Sequence, residues 1–230
     1  MNAAPLLEFR AVEKRYATAA GEVAALSGVD FSIQAGEFAT VTGPSGSGKS
    51  TLLNLATLLD RPSAGVLRFE GQDVGTLPES GRSRLRKHSI GMVFQSYHLL
   101  PERSVLDNVL FRFRYMDTPA EEARAAARQA LELTGLGGMA QRTARLLSGG
   151  EMQRVAIARA VAVPLRLLAA DEPTGNLDAE SAAQVMGCLK ELNRAGTAVL
   201  LVTHNEALIA HGRRHLAFRH GRMVHDRVLG

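Results

Sequence analysis

The run GPSGSGKS, Gly43 to Ser50, has the spacing G-x-x-x-x-G-K-[ST], and residues of those types in that order can hold a chain of phosphates. Gly43, Gly46 and Gly48 let the backbone turn tightly, so that successive N–H groups point inward at anionic oxygens. A helix opening at Lys49 adds the positive end of its dipole. Lys49 reaches the β- and γ-phosphates, and the Ser50 hydroxyl can ligate Mg2+. The candidate cradle is the whole run Gly43, Pro44, Ser45, Gly46, Ser47, Gly48, Lys49, Ser50 and Thr51. A Gly/Ser-rich turn before an ordinary helix is the plain alternative. The hydrophobic run Phe38 to Thr42 before the loop and TLLNLATLL after it favour a nucleotide site.

Such a loop needs a carboxylate for the metal at the end of a neighbouring strand. LLAADE supplies Asp171 after a hydrophobic run, with Glu172 beside it. Asp171 suits Mg2+ through a water, and Glu172 can act as general base on the attacking water. Taken alone, an acidic pair after a strand is more commonly a turn or a helix N-terminus. LVTH ends another strand at His204, where an imidazole can touch the γ-phosphate. A lone histidine is ordinarily structural, and this one matters only because of its company.

A second glycine-rich loop, LSGGEMQRVAIARA from Leu147 to Ala160, also opens a helix. Locally it reads as a capping box, Ser148 capping the helix and Glu151 reaching back. With Gly149 and Gly150 in the first turn it is an anion site as well. One triphosphate cannot fill two distant cradles in one chain. Two chains placed head to tail under two-fold symmetry resolve this, each nucleotide lying between one phosphate loop and the other chain's SGG loop.

The elements that carry these loops follow from periodicity. LLEFRAV, VDFSI, FATVTG, VLRFEG and IGMVFQ read as strands punctuated by glycine or proline. From about Ser96 to Val161 the chain reads mostly helical, most clearly in TPAEEARAAARQALELTGLGG. There Thr118 is expected as N-cap, Pro119 at the first helical position, Glu121 completing a capping box and Gly135 ending the helix. LRLLAADE and TAVLLVTH look like buried parallel strands. Between them Val185, Cys188, Leu189 and Leu192 share one helical face ended by Gly196, which makes Cys188 a core filler and not a reactive thiol. The fold class is α/β, a mostly parallel sheet with a mixed or antiparallel edge made by the N-terminal strands. A single domain spans 1–230, its core formed by 1–95 and 162–230 around a helical insert at 96–161.

At 230 residues, 46% hydrophobic and 22% charged, the chain is an ordinary globular one with room for a buried core. No stretch approaches the ~18 apolar residues of a membrane span. MNAAPLLEFR lacks a basic n-region and is expected not to be a leader. A single cysteine suits a reducing cytosol. The net charge is +4, with arginines 213, 214, 219, 222 and 227 crowding the last segment. That favours an anionic partner or simply a solvated basic surface, and no aromatics interleave as a single-strand binder needs. His211 and His215 lack a third metal ligand.

Together these motifs resemble the ATP-binding-cassette (ABC) ATPases over essentially the whole chain. The resemblance makes Gly43 to Thr51 the Walker A loop, Leu147 to Glu151 the signature, Leu167 to Asp171 Walker B and Glu172 the catalytic glutamate. Gln95 in VFQ takes the Q-loop position, touching Mg2+ and coupling the helical part to a partner. Asn176 to Asp178 take the D-loop position, and His204 that of the switch histidine. Tyr16 in EKRY sits where the family's adenine-stacking aromatic lies, although a surface tyrosine on a strand is the ordinary alternative. ADEPTGNLD, MVFQSYHLLP and SVLDNV are similar to the bacterial group of lipoprotein-releasing, macrolide-exporter and cell-division ATPases.

The resemblance implies ATP and Mg2+ as ligands, a homodimer closing on two ATP, and a separately encoded integral-membrane permease met at the cytoplasmic face of the inner membrane. Motion passed to that permease would drive lipoprotein release or efflux. A regulatory module of cell division uses the same chemistry. A small phosphate-loop kinase has no use for LSGGE, and a soluble ABC ATPase of nucleic acid resembles tandem or coiled-coil cassettes. No nucleic acid is therefore expected.

Overall fold

A computed structural model describes residues 4–19 and 21–229. The first three residues of the N-terminal run MNAAPLLEFR, expected not to be a leader, lie outside the described residues. The chain folds into two sheets. Strands β1 (Leu7–Thr18), β2 (Gly21–Ile33), β4 (Ala64–Phe69) and β5 (Gln72–Asp73) form an antiparallel sheet in the order β2-β1-β4-β5. The second sheet contains β3 (Phe38–Thr42), β6 (Ile90–Val93), β7 (Leu167–Asp171), β8 (Ala198–Val202), β9 (Arg214–Arg219) and β10 (Arg222–Val228). Its order is β10-β9-β3-β8-β7-β6, parallel throughout except for the closing β9–β10 hairpin. The antiparallel part expected as an edge of the main sheet is thus a sheet of its own. The reason lies in burial: Leu7, Phe9, Leu26 and Ile33 point inward with at most 1% exposure, toward the core shared with the main sheet.

Side-chain alternation assigns the two faces of the main sheet. Leu167, Ala169, Leu200 and Val202 join the core beneath the antiparallel sheet and α1 (Lys49–Ala56). Leu168, Ala170, Val199 and Leu201 face α6 (Ala179–Arg194) on the other side. Val185, Cys188, Leu189 and Leu192 line the buried face of α6 as their spacing demands, and burial pushes the Cys188 thiol pKa up, which keeps it inert. Ala169 and Ala170 are fully buried.

A third core joins α3 (Val105–Leu110), α4 (Ala120–Leu133) and α5 (Gly149–Val161). Two local expectations are corrected. The N-cap of α4 is Pro119, extended at φ −54° and ψ 141°, with no side-chain cap, so Thr118 does not close a capping box. Pro119, at ψ 141°, stays outside the helix, so the first turn starts one residue later than the Thr118–Glu121 spacing requires, and Glu121 and Glu122 serve that turn by charge. The helix α2 (Glu79–Ser89) lies within the part read as strands. Its sequence, ESGRSRLRKHS, has no apolar stripe; Arg112 holds it by donating to the carbonyls of Arg86, Lys87 and Ile90 at its C-terminal end.

Candidate nucleotide site

The phosphate-type loop leaves β3 and enters α1. Gly43 has φ +153°, and a Cβ there would stand 2.3 Å from the Phe218 carbonyl oxygen. Gly48, the residue before α1, has φ +102° and would meet the Ala25 carbonyl at 2.6 Å. Both are positions where only glycine fits, one against β9 and one against β2. The Lys49 ammonium donates to the carbonyls of Gly43 at 2.7 Å and Pro44 at 3.0 Å, curling over the loop.

Asp171 ends β7, one strand beyond β8, which is itself the neighbour of β3. Burial pushes its carboxyl pKa up, Glu172 adds repulsion, and Lys49 and the Ser50 hydroxyl oppose both. That set of perturbers puts Asp171, Glu172, Lys49 and Ser50 in one site at the C-terminal ends of the parallel strands. Glu172 adopts φ +46°, left-handed for a non-glycine residue, and its N–H donates to Val202 at 2.9 Å. The turn swings its carboxylate toward β8. Oε1 lies 2.7 Å from Nδ1 of the exposed His204, and Oε2 accepts from the Thr203 hydroxyl at 3.1 Å. The motifs did not single out Thr203; its only signal was adjacency to His204.

Gln95 follows β6 and is exposed, its amide 3.4 Å from the Asn176 side chain. Tyr16 lies on β1, half-exposed, with its hydroxyl donating to Asp60 at 2.9 Å. Asp178 caps α6, accepting from the Ser181 N–H at 2.9 Å and its hydroxyl at 2.8 Å. His211 and His215 fall on different elements, and no cluster of three or more metal-type ligands occurs among the described residues. His215 instead lies 2.7 Å from the Thr42 hydroxyl, and Arg214 is neutralised by Asp226 and Glu37.

The second loop carries the capping box. Ser148 accepts from the Glu151 N–H at 3.3 Å, and the Glu151 carboxylate accepts from the Ser148 N–H at 2.7 Å. Its glycines have a packing reason too. A Cβ on Gly150 would stand 2.5 Å from the Ser181 hydroxyl, and one on Gly149 2.9 Å from the Tyr97 hydroxyl. Gly150→Ala is expected to destabilise the chain by about 1–3 kcal/mol through overpacking, measured by denaturant unfolding. Among the described residues, no hydrogen bond or ion pair joins Ser148–Glu151 to Gly43–Thr51.

Residues 26–175, which include both loops, match the family model described as ABC transporter. The chain belongs to the ABC transporter family. The cassette is 44% identical to the lipoprotein-releasing system ATP-binding protein LolD 2 of Caulobacter vibrioides, over 97% of this chain and 99% of that protein. It is 43% identical to the macrolide export ATP-binding/permease protein MacB 2 of Aeromonas hydrophila over 96% of its own length, but spans only 34% of that protein. The solved dimer of the ATP-binding cassette MJ0796 in a post-hydrolysis state with ADP and Pi superposes with a TM-score of 0.88. That match has 34% identity and covers 97% of this chain and 99% of the other. The fold is therefore the ABC ATPase fold, and the chain is an ATP-binding cassette of the ABC ATPase class. None of the cassette's described helices is long and apolar enough to cross a membrane.

Proposed function

We propose that this cassette hydrolyses ATP at two composite sites of a head-to-tail homodimer and so drives a separately encoded membrane subunit. The observation that carries the reading is the capped helix end at Ser148–Gly150, whose N-terminal N–H groups suit an anion and which, among the described residues, makes no hydrogen bond or ion pair to the phosphate loop of its own chain. Gly43 to Thr51 bind the triphosphate, with Lys49 on the β- and γ-phosphates. Ser148, Gly149, Gly150 and Glu151 of the second chain close over the same γ-phosphate, and Asp178 lies beside that junction.

The donors near the cradle fit Mg2+. The Ser50 hydroxyl lies against the half-buried Asp171 carboxylate, and the Gln95 amide oxygen, on the exposed stretch after β6, would be the third hard donor. Bound there, Mg2+ would neutralise charge on the β- and γ-phosphates. Glu172 takes the proton of the attacking water. Thr203 and His204 hold that carboxylate from two sides, so its orientation is set before ATP arrives. His204 is exposed enough to reach the γ-phosphate while it contacts Glu172. Tyr16 stacks on the adenine.

Coupling runs through α5. Gln153, fully buried, donates to the Phe94 carbonyl at 3.1 Å, and Arg159 donates to the Tyr97 carbonyl at 2.9 Å. The Gln95 loop is therefore fastened to the helix that carries the SGG end. Beside it a groove of about 290 Å³, lined by Leu59, Met92, Phe94 and Arg159 among others, suits a segment of the membrane subunit. Near full-length similarity to LolD 2 supports a part in lipoprotein release, and similarity to MacB 2 a part in efflux; we place the cassette at the cytoplasmic face of the inner membrane. Ser148→Arg is the test of the composite site. Steady-state turnover is expected to fall to background while the single chain binds ATP as before; normal turnover would contradict it.

A further inference from the structure

The nucleotide must be met by two different sheets. The phosphate loop issues from β3 of the main sheet, whereas Tyr16 projects from β1 of the antiparallel sheet. A stacking ring contributes fully only if its distance from the phosphate cradle is fixed before ligand arrives, because ordering a free ring costs entropy. Asp60, just beyond α1, makes that connection.

The Asp60 carboxylate is shared among three donors. Oδ2 accepts from the Tyr16 hydroxyl at 2.9 Å, and Oδ1 accepts from Lys14 Nζ at 2.6 Å and from the Arg61 N–H at 2.6 Å. Its backbone is fixed as well: the Asp60 N–H donates to the Asn54 carbonyl of α1 at 3.1 Å, and its own carbonyl accepts from buried Arg82 at 3.1 Å. Lys14 is itself only 12% exposed, and its ammonium also donates to the Arg61 carbonyl at 2.9 Å. That ammonium stands over the Tyr16 ring, 4.9 Å from its centroid. Burial opposes ionisation of Asp60, but Lys14, Arg61 and Tyr16 together hold its carboxyl below the usual range. The anion that anchors the ring is thus present at neutral pH.

We propose that Asp60, with Lys14 over the ring, is a positioning residue for adenine binding: it ties the Tyr16 platform to the far end of the phosphate-loop helix. The inference rests on Tyr16 as the stacking residue. It predicts a defect confined to nucleotides and absent for a ligand with no base.

The experiment is calorimetric titration of the full chain with Mg-ATP and with magnesium tripolyphosphate. The variants are Asp60→Ala, Tyr16→Phe, Tyr16→Ala and the Asp60→Ala/Tyr16→Ala double. Asp60→Ala and Tyr16→Ala are each expected to weaken ATP binding roughly tenfold, the scale of one base–aromatic stack, with tripolyphosphate unchanged. The double variant is expected to be no worse than Tyr16→Ala alone. Tyr16→Phe keeps the ring and removes the hydroxyl's contacts to Asp60 and to Thr51, so it is expected to weaken ATP at least as much as Asp60→Ala, even if Asp60→Ala folds poorly. Wild-type ATP affinity in both Asp60→Ala and Tyr16→Phe, with Tyr16→Ala weakened, overturns the positioning role and spares the stacking role. Wild-type affinity in Tyr16→Ala overturns both. Equal loss of tripolyphosphate in Asp60→Ala and Tyr16→Phe means damage to the cradle, and also overturns the proposal.

Discussion

Lys49→Ala is expected to lower ATP affinity about 10²–10³-fold and to leave no measurable turnover, since a lost charge-assisted contact to a desolvated anion costs about 2–5 kcal/mol. The physical reason lies in the loop itself. In the proposed site its glycines direct N–H groups at the phosphates, and Lys49 is the cation expected to span the β- and γ-positions. Its ammonium bonds to the Gly43 and Pro44 carbonyls, both within the same loop. The side chain therefore lies over the loop that would hold the phosphates. The ammonium also faces Asp171, whose burial-raised pKa it opposes. Removing it should make Asp171 harder to ionise, so metal and triphosphate are lost together. Equilibrium titration with a fluorescent ATP analogue, with circular dichroism as the folding control, reads the effect.

Glu172→Gln is expected to slow hydrolysis about 10²–10⁴-fold, the range associated with removing a general base. ATP binding should stay close to wild type. The amide keeps the shape of the carboxylate and can still accept from Thr203, so the φ +46° turn at residue 172 and the fold around it should hold. Only the capacity to take a proton disappears. Single-turnover hydrolysis of radiolabelled ATP is the check, because it separates chemistry from binding and product release. Turnover at the wild-type rate would reassign the base and leave the rest of the site intact.

Much of this site was legible in the sequence because each motif couples residue type to a local backbone requirement. Gly43 and Gly48 are glycines because Phe218 and Ala25 leave no space for a side chain. The Ser148–Glu151 capping box forms as its spacing dictates. Strands β3, β7 and β8 could be read from their unbroken apolar runs, which is how a parallel strand buried on both faces looks. What could not be read depended on tertiary partners. The α2 helix has no apolar period and is held at its end by Arg112, which lies more than twenty residues beyond it. The cap of α4 moved from Thr118 to Pro119 because Pro119 itself stays extended at ψ 141° and the helix starts only at Ala120. Thr203 and Asp60 act through hydrogen bonds to Glu172 and Tyr16, across 31 and 44 positions of sequence, which no spacing rule encodes. The glycines of the second loop have two reasons at once. Gly150 admits Ser181 of its own chain, and that packing need was invisible beside the anion-binding one.

The central claim is that the phosphate loop and the SGG loop meet only across two chains. Sedimentation equilibrium of Glu172→Gln saturated with Mg-ATP tests it most directly. The account expects the 24.6 kDa chain to double in mass with one ATP retained per chain, and to return to single mass when Ser148→Arg is added with ATP still bound. A species that stays at 24.6 kDa while fully occupied by ATP would contradict it.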